Sequence, residues 1–382
     1  MRAKLINDAQ SFLKLQESWN RILRASQTDF PFLTFEWQSS WWNTFGKGKK
    51  LFILTAAMAD QNDNTHGIAP LMIDKSVGFR VVQFIGTGRS DYLDFIIQDK
   101  ISETLEVFFT FLNENRKSWD LIFLSDILSD NDSVGKLIDA ARAAGWGIGL
   151  RHYYSSPYIP INGNSWGDYL SSKSSNFRYS LKRKEKYLEK SGMKLNVVRI
   201  NSNYLDHHIL NKMVVIERSS WKYDEGNLNM QDEQSLKFYS DYLKKFAQNG
   251  WMNLWIGYLE EKPVAYLINF DYGGKIWFYN AAYDLEGSQY GIGAILMNHA
   301  VQDAFNRGKN EYDFMRGVEE YKARWSSIKR ESYQVVFYKK SFRSTLGFIF
   351  LYRFRWFLSK YKIFHVIRFL FARMYKKLIK ML

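Results

Sequence analysis

At 382 residues the chain is too long for one ordinary domain and suits two, or a two-lobed core with an extension. Apolar residues make up 46% and aromatic residues 17%, enough for a sizeable core, and the absence of cysteine excludes disulfides, thiolate metal sites and a cysteine nucleophile while fitting a reducing cytosol. Of the 53 basic residues twelve lie in 339–382, a stretch without Asp or Glu, and the remaining 41 against 39 acidic residues exclude a generally polyanion-binding surface.

The first residues hold no apolar run of the signal-peptide kind, so a cytoplasmic location is expected. Residues 5–25 carry apolar side chains at helical spacing, and an aromatic helix is expected at 35–45. Strand-like runs follow at 51–58, 67–73 and 80–86, then a helix at 102–115 and a strand at 120–124. Asp91, Tyr92 and Asp94 come after a strand and a glycine turn; they either line an acceptor cleft between lobes or cap their own loop. Residues 166–190 read as one helix or two. On a helix Arg178, Lys182 and Lys186 share a face, which suits a phosphate-bearing acceptor or is a plain solvated surface. No nucleic-acid motif accompanies it, so DNA is not an expected partner. Trp221 and Lys222 follow a helix and either pack or contact cofactor or acceptor.

The order of elements then repeats. Strands at 252–259 and 263–270 parallel those at 51–58 and 67–73. A strand at 275–283 leads through a glycine-rich turn to a helix at 293–306, and Tyr312, Asp313 and Phe314 match Trp119, Asp120 and Leu121. The expected fold is therefore α/β (α+β): tandem lobes at 1–150 and 151–340, each a mixed twisted sheet flanked by helices. A basic, aromatic, amphipathic helical tail follows at 341–382.

Two segments carry chemistry. Ser288, Gln289, Tyr290, Gly291, Ile292 and Gly293 join a strand to a helix start, where unpaired amides and the helix dipole favour an anion; the alternative is a simple connecting turn. The dinucleotide pattern G-x-G-x-x-G is absent. At 310–325 a strand is expected to carry Tyr312 to Met315, Asp313 within it, and Arg316, Glu319 and Lys322 follow its end. Asp313 is a candidate general base or the partner of Arg316 or Lys322, and either cation can hold a phosphate or carboxylate. The six histidines lack metal-site spacing, so no metal is expected.

Residues 255–270, 282–291 and 312–325, with 32–37, 67–71, 86–95 and 178–188 in the first half and its connector, resemble the GNAT (Gcn5-related) acyltransferases typified by the cellulose-biosynthesis protein CelD. That family is itself similar to the FemAB peptidoglycan aminoacyltransferases. The resemblance spans roughly 15–340 and implies acyl transfer from acetyl-CoA, or another acyl-CoA, to a small-molecule or lipid-linked sugar acceptor of envelope or exopolysaccharide synthesis. It also implies that the pyrophosphate sits at 288–293, where Ser288 replaces the family's Gln or Arg. Tyr279 or Tyr283 is then a candidate to protonate the leaving thiolate, and a splayed strand at 277–281 can present an amide to the thioester oxygen. Two alternatives follow: a FemAB-like aminoacyl transferase using aminoacyl-tRNA, or a scaffold that keeps the fold and has lost the cofactor.

In the tail, Arg373, Lys376, Lys377 and Lys380 oppose Phe371, Met374, Tyr375 and Leu378 on a helical wheel. No uncharged run is long enough to span a bilayer, so the expectation is peripheral binding to an anionic inner-leaflet surface, with an active core ending after Tyr338.

Overall fold

The structure, a computed structural model, describes residues 1–58, 65–129, 133–200, 206–224, 228–230 and 232–354. Strands of the first half are β1 (Arg2–Ile6), β2 (Lys50–Leu51), β3 (Ile53–Ala57), β4 (Thr65–Ala69), β5 (Leu71–Ser76), β6 (Phe79–Phe84), β7 (Ile96–Ile97) and β8 (Leu121–Leu128). The connector β9 (Gly147–Pro160) leads to β10 (Leu195–Ile200), β11 (Met252–Leu259), β12 (Lys262–Tyr272), β13 (Lys275–Tyr283), β14 (Glu311–Asp313) and β15 (Lys329–Tyr338).

The two halves repeat one plan. In the first, β6 crosses over through the helix Ile101–Glu114 to parallel β8, pairing Val81 with Leu121 and Val82 with Ile122. In the second, β13 crosses through the helix Ile292–Asn306 to parallel β14, pairing Lys275 with Glu311 through Trp277 with Asp313. Each half is a mixed sheet flanked by helices, as the repeated order of elements implied. The strand expected at 67–73 is two strands, because Pro70 lacks an amide to donate. It hands the chain from a four-stranded sheet (β1-β3-β4-β7) to an eleven-stranded one. The helix expected at 5–25 begins later. Arg2–Ile6 pairs with Ala57–Ile53 as β1, and Asp8 then caps the helix Ala9–Leu13, followed by Gln16–Arg24.

One sheet runs through both halves, in the order β10-β11-β12-β13-β14-β9-β15-β8-β6-β5-β2. Position 150, where the lobes were expected to divide, lies inside β9. That strand pairs with β15 from Gly147 to Pro157 and then with β14 from Tyr158 to Pro160. β15, from the far end of the chain, also pairs with β8 of the first half. The core is shared too: Trp37, in the helix Phe35–Phe45, packs its ring 5.0, 4.8 and 6.1 Å from Phe238, Tyr242 and Phe246 of the helix Glu233–Gln248.

After β15 the helix Phe342–Phe348 and a wide turn, Ile349–Phe354, lie back on the sheet. Phe348 and Leu351 are buried with Val81, Leu121 and Val336, so this part belongs to the core and not to a detachable tail. The amphipathic face at 371–380 lies outside the described residues. No helix of the described residues is long and apolar enough to cross a membrane.

Candidate active site

β13 and β14 pair only as far as Trp277 and Asp313; β14 ends there while β13 continues to Tyr283. The two strands therefore open into a wedge. Along the other edge of β13 the register against β12 shifts: Ile268 faces Asn280, Asn269 faces Phe278, and Tyr279 is skipped. A bulge of this kind re-aims side chains, and here Tyr279 and Asn280 both turn to the same side of the sheet. Tyr279 stacks on Phe270, and its hydroxyl donates to the Arg89 carbonyl (3.0 Å), while Asn280 donates to the Tyr239 and Tyr266 hydroxyls at 3.2 and 3.0 Å. Burial raises the Tyr279 hydroxyl above its usual range. Phe278 and Tyr283 pack on the opposite side, with the helix Ile292–Asn306.

The glycine turn closes the wide end of the wedge. Asp284 caps a short helix, Leu285–Tyr290, by accepting from the Gly287 amide. Ser288 and Gln289 are exposed on that helix, and Tyr290 stands beside Tyr187. Gly291 then adopts φ +68°, a left-handed conformation that favours glycine, and opens the helix Ile292–Asn306. The Ala294 and Ile295 amides bond to the Gly291 carbonyl, leaving those of Ile292 and Gly293 at the helix mouth. The Lys184 ammonium stands 2.9 Å from where a β-carbon on Gly291 would be, and Tyr283 lies 2.7 Å from the same place on Gly293. Among the described residues Lys184 has no carboxylate partner. Burial, then Arg324 and Arg183, push its pKa down. Two amides, a helix dipole and an uncompensated cation fit a phosphate-sized anion.

Lys184 comes from the helix Ser175–Lys190, whose expected working face was Arg178, Lys182 and Lys186. Arg178 instead donates to the carbonyls of Leu170, Ser171 and Lys173, closing the helix Trp166–Ser171, and Lys182 and Lys186 are exposed. Residues 166–190 are thus two helices.

On the other side of the sheet lies a buried polar group. Lys222 donates to Asn280 Oδ1 at 2.7 Å, with Glu217 Oε1 3.8 Å away. Glu217 accepts from the Tyr266 hydroxyl, the Asn229 amide and side chain, and the Met230 amide. Burial lowers Lys222 to about 8, opposed by Glu217. Of Trp221 the backbone alone is described, in the turn Trp221–Asp224.

The residues around Asp313 form the joint between halves. Its fully buried carboxylate accepts from Tyr92 (3.0 and 3.1 Å), Arg330 (2.8 Å) and the Met315 amide (2.7 Å). Burial, partly offset by Arg330, pushes Asp313 up to about 6. Arg316 reaches back to Asp91 (3.1 Å) and Asp126 (2.9 Å) and lies over the Tyr154 ring. Lys322 pairs with Glu319 (3.0 Å), donates to the Arg316 carbonyl and sits 5.8 Å from the Phe278 ring centroid. The structure thus brings Asp91 and Tyr92 to Arg316 and Asp313 across the seam, and Lys322 to the wedge. The glycine turn and Tyr283 form a separate corner.

Residues 175–323 match the family described as "Acetyltransferase (GNAT) domain". The matched stretch runs from the helix bearing Lys184 to that bearing Lys322; over it the chain is similar to a GNAT acetyltransferase domain, and the fold of the two halves is GNAT-like. No curated protein matches the sequence. Among solved structures it is similar to FemX (11% identity, TM-score 0.60, covering 89% of this chain and 97% of that one). It is also similar to the C-terminal domain assigned to a lysylphosphatidylglycerol synthetase of Agrobacterium fabrum (10%, TM-score 0.54, 85% and 92%). A third is a conserved protein of unknown function from Bacteroides thetaiotaomicron (9%, TM-score 0.57, 87% and 99%). At these identities the likeness concerns fold.

Proposed function

We propose that the second half transfers an acyl group from a phosphate-bearing donor, acetyl-CoA or another acyl-CoA, to an amine or hydroxyl of a polysaccharide or cell-envelope precursor. The observation that carries this reading is the wedge between β13 and β14 lying next to the Gly291 turn and Lys184. Ile292 and Gly293 amides and Lys184 hold donor phosphate. The bulged stretch at Tyr279 offers backbone donors to the acyl oxygen, where negative charge develops. The acceptor enters from the seam lined by Asp91 and Arg316. The acceptor class rests on the family resemblance, and so does a cytoplasmic location with the tail on an anionic inner-leaflet surface.

A second donor, aminoacyl-tRNA, is favoured by two observations. The fold likeness to FemX and to the synthetase domain runs through both halves, and Ser288 is exposed where the family has a long donor side chain. Both donors present phosphate, so both use the same corner. Isothermal titration of the full chain with acetyl-CoA and with coenzyme A, beside filter binding of aminoacyl-tRNA, separates them. Lys184→Glu should weaken whichever donor binds by tenfold or more at low salt, less at high salt. If neither donor binds, the scaffold reading replaces both.

A further inference from the structure

A transfer to an amine or hydroxyl needs one group that takes a proton from the nucleophile and returns it to the leaving group. Three of the candidates are occupied. Asp313 is enclosed by Tyr92, Arg330 and the Met315 amide. The Tyr279 hydroxyl is committed to the Arg89 carbonyl, and Glu217 accepts from three residues.

Lys222 is different. It is 8% exposed, and among the described residues its ammonium has one close acceptor, the Asn280 side chain, on the bulged stretch of β13 whose backbone borders the wedge. Burying a cation on a neutral amide, with no carboxylate of the described residues nearer than 3.8 Å, costs stability, and structural lysines are normally paired more fully. The groups that reach it are Asn280 and Glu217; Glu217 in turn accepts from Tyr266 of β12, and Asn280 donates to Tyr266 and to Tyr239 of Glu233–Gln248. Resting on the acyl-transfer reading, we propose that Lys222 is the proton-transfer residue of this site, held at the bulge by Asn280 and Glu217.

In that role neutral Lys222 takes the proton of the acceptor amine or hydroxyl as its lone pair attacks the acyl carbon. A C–N or C–O bond forms, and the bond from the acyl carbon to the donor's sulfur, or oxygen for an ester donor, breaks. The Lys222 ammonium gives the same proton to the departing thiolate or alkoxide, so the lysine ends neutral and no proton is consumed. A lysine lowered to about 8 is suited to this, since a proton carrier works best near the operating pH. The neutral fraction grows as pH rises, so kcat/KM should climb through an inflection near 8.

The test has two readouts on the full chain. Lysines carrying a ¹³C label at the ε-carbon are titrated by NMR: one signal, missing in Lys222→Arg, should titrate near pH 8. In Glu217→Gln it should move to lower pH, because the neighbouring charge that raised it is gone. If every lysine titrates above pH 9.5, the proposal is overturned. Thiol release from acetyl-CoA, with glucosamine as probe acceptor, is the second readout. Arginine keeps the charge and the bond to Asn280 but cannot release its proton, so Lys222→Arg should lower kcat by about 100-fold or more while acetyl-CoA binds within threefold of wild type. Lys222→Ala should be partly rescued by added ethylamine, an effect a purely structural lysine would not show. Donor binding with Lys222→Arg turnover within tenfold of wild type overturns the role alone. Failure of the wild type to bind either donor overturns the acyl-transfer reading, and the role with it.

Discussion

Asp94 shows how a single buried acid sets a pH response. It bonds to the Phe95 amide, it is 3% exposed, and burial raises it to about 7 despite a bond from Ser133. A carboxyl whose folded pKa is raised contributes its full stability below its unfolded value near 4 and loses it as pH climbs through the folded one. The loss attributable to Asp94 therefore falls between about pH 4 and pH 7. Asp94→Asn removes the ionisation and keeps a side-chain oxygen for both donors. Urea denaturation should show wild type and variant nearly equal at pH 4 and the variant more stable at pH 8, by on the order of 2 kcal/mol. A constant difference across that range would mean that Asp94 is not the titrating group. Lys184 and Lys222 show the limit of reading single residues from sequence. A helical wheel groups Arg178, Lys182 and Lys186, but the packing of Ser175–Lys190 against Ile292–Asn306 turns Lys184 inward. Lys222 gains its meaning from Asn280, 58 positions away, which no local pattern announces.

Elements with their own periodicity were legible: the helix Phe35–Phe45, strands β11 to β13 and the crossover helices fall where spacing places them. β9 was not. Its neighbours differ along its length, β15 then β14, and its burial follows no clean alternation, so residues 152–156 read as neither strand nor helix. β15 and the helix behind it escaped for a related reason, since their partners lie far earlier in the chain, in β9, β8 and β6. That placement changes the expected end of the functional core. Gly149 lacks a side chain where Phe348 and Tyr352 approach, with ring carbons 2.6 and 2.7 Å from a built β-carbon, and Gly347 packs on Phe79 and Leu121. Ending the chain after Tyr338 would expose the apolar surface that Phe348 and Leu351 cover. That form should aggregate or melt well below one ending after Phe354, by differential scanning fluorimetry. The form ending after Phe354 should keep donor binding but lose partition onto phosphatidylglycerol vesicles. Equal partition of this form and the full chain would remove the membrane role from residues 355–382.

At the scale of the molecule, the sequence conveyed duplication but not the continuity it produces. The joint is polar as well as aromatic. Arg330 of β15 pairs with Glu311 (2.7 and 2.5 Å) and Asp313 of β14, and lies 3.8 Å from the ring centroid of Tyr158 on β9; Tyr92 of the first half closes on Asp313. Three strands and a loop from the other half thus meet at one guanidinium. Arg330→Met keeps much of the packing volume but leaves Asp313, 0% exposed, without its cation and Glu311, 7% exposed, with Lys275 alone at 3.5 Å. Removing one partner of a buried charge cluster typically costs about 3–5 kcal/mol, and the loss should grow with pH. Asp313 already sits at about 6 with Arg330 present. Without the arginine its carboxyl rises further, so ionising it costs the folded state more at pH 8 than at pH 5. Because one sheet joins the halves, urea should unfold the variant in one transition, its midpoint lowered more at pH 8 than at pH 5. Two separate transitions, or a loss below about 1 kcal/mol at both pH values, would show that the halves are joined by their aromatic seam and that the Arg330 cluster contributes little.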